Sequence, residues 1–276
     1  MSNKAGHAGG HGIRRAAVEF HRAEALLGET WNAVRSRHPT RGAQEYVQAH
    51  WGRYVWMLAS LGPIRPGMRV LEIGASIVSS ALKRAGAEVS VAYHELEPEW
   101  EARFAAEGIN GFPVELLRDG LPFAPESFDL ILCDQVLEHL PLSYDFLLKQ
   151  MLGVLVPEGT LAISTPNFAA WEKRWALLRG KNPQDALDSV FLYYSHHREP
   201  VMGELCGDIR RCGGRIRSFH WTDFAPPQRP VGRLSGFMKN LAARRWGPLL
   251  HALVPGFRDY LVVFATVDAG FRPLKR

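Results

Sequence analysis

Cysteine is scarce in this chain, with only Cys133, Cys206 and Cys212 among 276 residues. None falls in a C-x-x-C pair, so the sequence offers no disulfide framework and fits a reducing, cytoplasmic setting. Long apolar runs are missing too. The most apolar stretch, Tyr260–Val267, spans eight residues, far short of the ~20 that a membrane-spanning helix needs. Residues 1–11 are polar and rich in glycine and histidine, with no apolar stretch of the kind that directs secretion. Nor does one charge sign dominate. Lys and Arg number 33 against 28 Asp and Glu, and the net +5 does not by itself indicate nucleic acid. Internal repeats and heptads are absent. What remains is an ordinary globular balance, 46% hydrophobic and 22% charged residues. The chain is long enough for one large domain or two small ones that bury roughly three quarters of the unfolded surface.

Apolar residues recur at threes and fours over 13–38 (Ala17, Phe20, Ala23, Leu27, Trp31) and again over 43–61, which predicts two helices before Gly62-Pro63. The rhythm then changes. Short apolar runs at 69–74, 88–93, 128–133 and 160–165 predict strands, with helices over 79–86, 98–107 and 144–155 between them. That alternation predicts a doubly wound, mainly parallel α/β sheet. Ligands of such sheets sit at the carboxyl ends of the strands, so the tips after Ile73, Tyr93, Cys133 and Ser164 are where a site is expected. Further on, the pattern predicts helices near 171–178 and 202–212, strands over 215–222 and 260–267, and a basic amphipathic segment over 237–253. The expected organisation is a tail (1–12), an N-terminal helical lid (13–62), an α/β core (63–168), and an insertion with the final strands (169–276).

Four blocks in order carry a resemblance. They are Val70-Leu71-Glu72-Ile73-Gly74; Leu121-Pro122-Phe123 with Ser127-Phe128-Asp129-Leu130-Ile131; Val136-Leu137-Glu138-His139-Leu140; and the run from Leu155-Val156-Pro157-Glu158-Gly159 to Thr165-Pro166-Asn167. Over 66–167 they resemble the class I S-adenosylmethionine-dependent methyltransferases, and 195–205 extends the match. The resemblance implies a Rossmann-like fold, S-adenosylmethionine as cofactor, and methyl transfer to an acceptor bound by the C-terminal insertion. Such chemistry asks the protein to hold donor and acceptor in line and often to take the acceptor's proton. In this family the loop after the first strand wraps the methionine part of the cofactor, and an acidic residue ending the second strand holds the ribose hydroxyls.

Carried over residue by residue, the resemblance assigns Glu72, Gly74 and Ser76 to the amino-acid end of the cofactor. It assigns Glu95 to the ribose, with Tyr93 competing for the slot. Asp119 and Glu115 compete for the adenine edge, and Asp134 and Gln135 face cofactor or acceptor at a strand tip. The chain also departs from the pattern. The family's acidic-x-Gly-x-Gly-x-Gly loop reads Glu72-Ile73-Gly74-Ala75-Ser76-Ile77-Val78. Val78, β-branched, is expected to put bulk where backbone should approach ligand or helix. A plainer reading has Gly74 make a tight turn and Ser79 cap the next helix.

The ubiquinone-pathway and small-RNA O-methyltransferases carry a Mg²⁺-binding Glu-x-x-Glu-His, which here reads Gln135-x-x-Glu138-His139. The lost carboxylate is one that a hard cation prefers, so Mg²⁺ is not favoured and no metal ligand is assigned. His196, in Ser195-His196-His197-Arg198-Glu199, matches a further histidine of the RNA enzymes. His139 and His196 are the candidate catalytic residues, as general bases or acceptor-orienting groups; alternatively, Glu138-His139 only caps its loop. Trp171, Trp175, Phe191, Tyr193 and Tyr194 form either an acceptor wall or core. The basic stretch 229–245 is a solvated face or meets an acidic acceptor or membrane surface. No basic-aromatic platform for RNA is present, and nucleic acid is not an expected partner. The expected activity is O-methylation of a small molecule or glycan. Its rival is a methyltransferase fold that has lost catalysis and serves as a scaffold, which would tolerate a filled cofactor cleft.

Overall fold

The computed structural model describes residues 9–35, 41–94, 98–116, 118–141, 143–184, 186, 195–224, 253–268 and 271. The aromatic run at 190–194 and the basic stretch at 229–245 lie outside them. Three helices come first, α1 (Gly9–Val34), α2 (Arg41–Ala49) and α3 (Trp51–Ser60). The alternating core follows as β1 (Arg69–Ile73), α4 (Ile77–Arg84), β2 (Glu88–Tyr93), α5 (Pro98–Glu107), β3 (Asn110–Pro113), β4 (Phe128–Asp134), α6 (Asp145–Val154) and β5 (Leu155–Pro166). The chain continues with α7 (Trp171–Leu178), α8 (Met202–Arg211), β6 (Gly214–Thr222) and β7 (Tyr260–Val267).

The strands form one sheet in the order β3-β2-β1-β4-β5-β7-β6. β3, β2, β1, β4 and β5 run parallel, while β7 pairs antiparallel with both β5 and β6. Strand order grows outward in opposite directions from the β1–β4 pair, and such a switch point opens a crevice at the carboxyl ends. The two central strands are buried on both faces, with Val70, Leu71 and the run from Leu130 to Cys133 wholly inaccessible. This explains why they read as continuous apolar runs rather than as alternation. One face is covered by α6 and α8 through Leu147, Leu148, Leu205 and Ile209. The other is covered by α1, α3, α4 and α5 through Leu27, Met57, Leu82 and Phe104. The N-terminal helices therefore share the core, and α1 packs on both α3 and α4.

Two local readings change. The helix expected over 43–61 is broken at His50, whose ψ of 9° leaves the helical range. β3 was not foreseen. Its sequence, Asn-Gly-Phe-Pro, lacks the apolar signal because it is an exposed edge strand, where a terminal proline is tolerated. Among the described residues no helix is long and apolar enough to cross a membrane.

Candidate active site

The loop after β1 shows how the chain manages with one glycine. Gly74 has φ +81, and a Cβ there would lie 3.0 Å from the Val136 side chain, so the turn presses against the loop after β4. Its N–H donates to Ala92 O at 2.8 Å, which keeps the turn in register with β2. Ser76 is extended backbone at the N-cap of α4, with its Oγ accepting from the Val78 N–H at 3.0 Å. Ser76, not Ser79, is thus the cap. The hydroxyls of Ser76 (2.6 Å) and Ser79 each donate to one carboxylate oxygen of Glu72. Val78 already lies in the first turn of α4 and is buried in the core, so it neither needs positive φ nor obstructs the cleft. The expected obstruction is absent because α4 starts at Ile77 and its first turn carries Val78 into the core.

Glu72 is wholly buried, and desolvation pushes its carboxyl up to about 7 against the pull of the two serine hydroxyls. Its ordinary value is 4.5. A carboxyl raised in the folded state binds more protons there than in the unfolded chain. Its contribution to stability is therefore full below pH about 4.5 and is lost as pH rises to about 7. The Glu72→Gln variant should lose that slope: the stability difference between wild type and variant, from urea unfolding at pH 5 and pH 8, should change by about 2.5 kcal/mol against the wild type. An unchanged difference would mean that Glu72 keeps its charge cheaply.

At the carboxyl ends of β1, β2 and β4 lies a cavity of about 300 Å³. Of the residues singled out from sequence, Glu72, Gly74, Ser76, Asp134, Gln135 and His139 all line it. Asp119 does not. It is exposed on the surface, paired with Arg118 at 2.8 Å, because the loop turns it outward. Glu115 stands in the wall instead, 3.1 Å from His94 Nδ1. β2 ends on Tyr93, which also lines the cavity and donates its hydroxyl to Glu101 at 3.1 Å. Glu95 lies outside the described residues.

The tip of β4 is tied to the N-terminal helices. Asp134 Oδ2 lies 3.2 Å from Arg53 Nε on α3, both side chains nearly inaccessible, yet neither atom has an aligned hydrogen bond. Ser164 Oγ donates to the other Asp134 oxygen and accepts from Gln135 Nε2 at 3.0 Å. Gln135 itself takes φ +58, a left-handed conformation held by its N–H bond to Ser164 O. Arg53 was missed in the sequence. The available signal was a single charge in the α3 segment WGRYVWMLAS.

A second cavity, about 560 Å³, shares Tyr46, Arg53, Gln135 and His139 with the first. Its own walls add Glu138, His196, Lys173 and Glu199. Donor atoms of Glu138, His139 and His196 lie within 4.8 Å of one another. The Glu138 carboxyl is buried, accepts from Thr165 Oγ1 at 3.2 Å, has no partner at Oε1 among the described residues, and is pushed up to about 8 by burial. Burial and the neighbouring His196 push His139 down to about 4, against the pull of Ser195 O at 3.2 Å from its Nδ1. The two imidazoles meet edge to face, centroids 4.9 Å apart. This wall offers a neutral imidazole and a carboxyl that favours its acid form, groups able to orient a hydroxyl and accept its proton. As an ion site, two imidazoles with one carboxyl suit a borderline transition metal better than Mg²⁺.

Other candidates are structural. Asn167 Nδ2 donates to Gly256 O and Arg258 O, and its Oδ1 accepts from Ala169 N–H, so it builds a turn. Trp171 and Trp175 stack at 5.9 Å, with Phe257 against Trp171, and neither tryptophan lines the two cavities. Cys133 is core.

Residues 71–163 match the family model described as a methyltransferase domain. The ubiquinone biosynthesis O-methyltransferase of Xanthomonas campestris pv. campestris (strain B100) is 28% identical over 40% of this chain and 52% of its own length. The chain thus spans about half the length of the curated relatives it matches. A methyltransferase from Haloferax volcanii, solved with the Trm112 methyltransferase activator, superposes with a TM-score of 0.56 at 14% identity, covering 82% of this chain and 93% of that one. The phosphoethanolamine N-methyltransferase 2 of Haemonchus contortus, solved with S-adenosyl-L-methionine, gives a TM-score of 0.50 at 15% identity over 79% of this chain and 53% of that one. Identities this low speak for the fold alone. Residues 71–163 thus match a methyltransferase domain, and the fold around them is similar to that of solved methyltransferases.

Proposed function

We propose that the chain transfers the methyl group of S-adenosylmethionine to a hydroxyl of a small polar molecule or glycan. The observation that carries this reading is the shared wall. The two cavities meet at Gln135 and His139, so a cofactor in the first and an acceptor in the second would present their reacting ends at one place. The first cavity fits the cofactor. Gly74, Arg53 and Asp134 line it, Gly74 lets the turn press close to Val136, and the facing Arg53 Nε and Asp134 Oδ2 lack an aligned hydrogen bond, so the pair can serve the charged amino-acid end of the cofactor. Glu115 would serve the adenosine end. When bound, the cofactor supplies a sulfonium methyl, which moves as an oxygen–carbon bond forms and the carbon–sulfur pair stays on sulfur. His139 and His196 would orient the acceptor hydroxyl and take its proton. The acceptor cavity is walled by Glu172, Lys173, Glu199 and Asp259, a lining that suits a polar acceptor and penalises a long apolar one. The free, buried cysteines suit a reducing cytoplasm.

A second reading of the same wall rests on the partnerless Glu138 Oε1, which an ion held by Glu138, His139 and His196 would satisfy. One screen tests both. Purified chain and S-adenosylmethionine are incubated with hydroxylated sugars, phenols and matching amines, with and without Mn²⁺, Zn²⁺ or Mg²⁺, and S-adenosylhomocysteine is measured. Turnover on hydroxylated members and not on amines is expected. Turnover confined to amines would overturn the oxygen assignment, and a rate that needs Mn²⁺ or Zn²⁺ would favour the ion over a free imidazole base.

A further inference from the structure

We infer that Lys173 and Glu199 are positioning residues that decide which nitrogen of His196 faces the acceptor; this rests on the transfer proposed above. Glu199 is buried, its side chain 7% exposed, and both oxygens are committed. Oε1 lies 2.8 Å from His196 Nδ1, and Oε2 is paired with Lys173 Nζ. The segment that carries His196 and Glu199 is fixed to the catalytic turn at several points. His197 N–H donates to Glu138 O at 2.7 Å, Tyr144 Oη donates to Arg198 O at 2.7 Å, and His139 Nδ1 lies 3.2 Å from Ser195 O. Lys173 comes from a different element, α7, so the chain Lys173–Glu199–His196 ties α7 to the wall of the second cavity.

The chemistry follows from hydrogen-bond inventory. A carboxylate accepts only, so at Nδ1 it selects the tautomer with the proton on Nδ1 and leaves Nε2 as the acceptor. A lysine ammonium donates only, and it supplies the counter-charge that lets Glu199 stay an acceptor in a buried place. The acceptor hydroxyl's proton then passes to His196 Nε2 and on to water, while the oxygen keeps the electron pair for its new bond to carbon. A salt bridge that only held α7 in place would have no need of a histidine on its second oxygen.

Glu199→Gln tests this sharply, because an amide has one oxygen. Lys173 claims that oxygen, which turns the amide NH₂ toward His196 Nδ1 and forces the proton onto Nε2. Adding Lys173→Met releases the amide to rotate and restores the original tautomer. Two-bond ¹H–¹⁵N spectra of the full chain, with His196 assigned through His196→Gln, should show the Nδ1–H form in wild type. The Nε2–H form is expected in Glu199→Gln, and the Nδ1–H form again in the double variant. Affinity for S-adenosylhomocysteine should stay within twofold throughout, since neither residue lines the first cavity. With catechol as the hydroxyl probe, kcat should fall at least tenfold in Glu199→Gln and recover in the double variant. A wild-type His196 protonated on Nε2, or a tautomer indifferent to Glu199→Gln, would overturn the inference; the wild-type spectrum, once His196 is assigned, decides this even if Glu199→Gln fails to fold. No transfer by wild type to any hydroxyl would count against the proposed function while leaving the tautomer result standing.

Discussion

Replacing Arg53 with methionine should cost about 3–5 kcal/mol of unfolding free energy, because the change strands a buried carboxylate. The Asp134 side chain is only 3% exposed, and besides Arg53 it takes the Ser164 hydroxyl on its other oxygen. Methionine keeps most of the arginine's volume, so the loss would be electrostatic rather than a packing defect. Adding Asp134→Asn should recover most of the stability, since a neutral amide is far cheaper to bury than an unpaired charge. Cofactor affinity should separate from stability. Single and double variants alike lack the guanidinium that opens on both cavities, so both should bind S-adenosylhomocysteine at least tenfold more weakly. Urea unfolding and calorimetry read the two effects. A single variant within 1 kcal/mol of wild type would mean that water reaches the pair.

Removing His196 should lower turnover by roughly 10²–10⁴, the usual weight of a general base, without altering cofactor affinity. The asymmetry comes from position. His196 lines the second cavity alone, whereas His139 lines both. His196→Ala should therefore spare S-adenosylhomocysteine binding, while His139→Ala should lower turnover and weaken binding together. Single-turnover rates with the acceptor found by screening, set beside calorimetric affinities, check the pattern. A His196→Ala enzyme that keeps a tenth or more of the wild-type rate would remove His196 from the chemistry and leave it an acceptor contact.

What could be read from the residues follows the range over which their signals act. β1 and β4 were legible because continuous apolar runs report burial on both faces, and the turn at Gly74 because glycine follows such a run directly. The onset of α4 was not legible. A single Ser-Ile-Val stretch does not say whether Val78 precedes the helix or belongs to its first turn, and the answer decides whether it blocks a ligand or packs the core. Glu115 and Asp119 sit in one short loop, so only its path in space turns one inward and the other to Arg118. Arg53–Asp134 and Lys173–Glu199 are contacts across the fold, and no periodicity announces them. Arg53 was visible only as an isolated charge on a buried helix face. Val136, which closes against Gly74, belongs to a block read for its neighbours Glu138 and His139.

The most direct measurement is calorimetric titration of S-adenosylmethionine and S-adenosylhomocysteine into the wild-type chain and into Gly74→Val. In the variant a β-branched residue meets positive φ and the Val136 side chain 3.0 Å from its Cβ. The backbone alone costs about 1–3 kcal/mol there. Micromolar binding by wild type, weakened at least tenfold in a variant that still melts cooperatively, is the predicted result. No binding to wild type at millimolar ligand, or equal binding by the two proteins, would contradict the placement of the cofactor in this cavity.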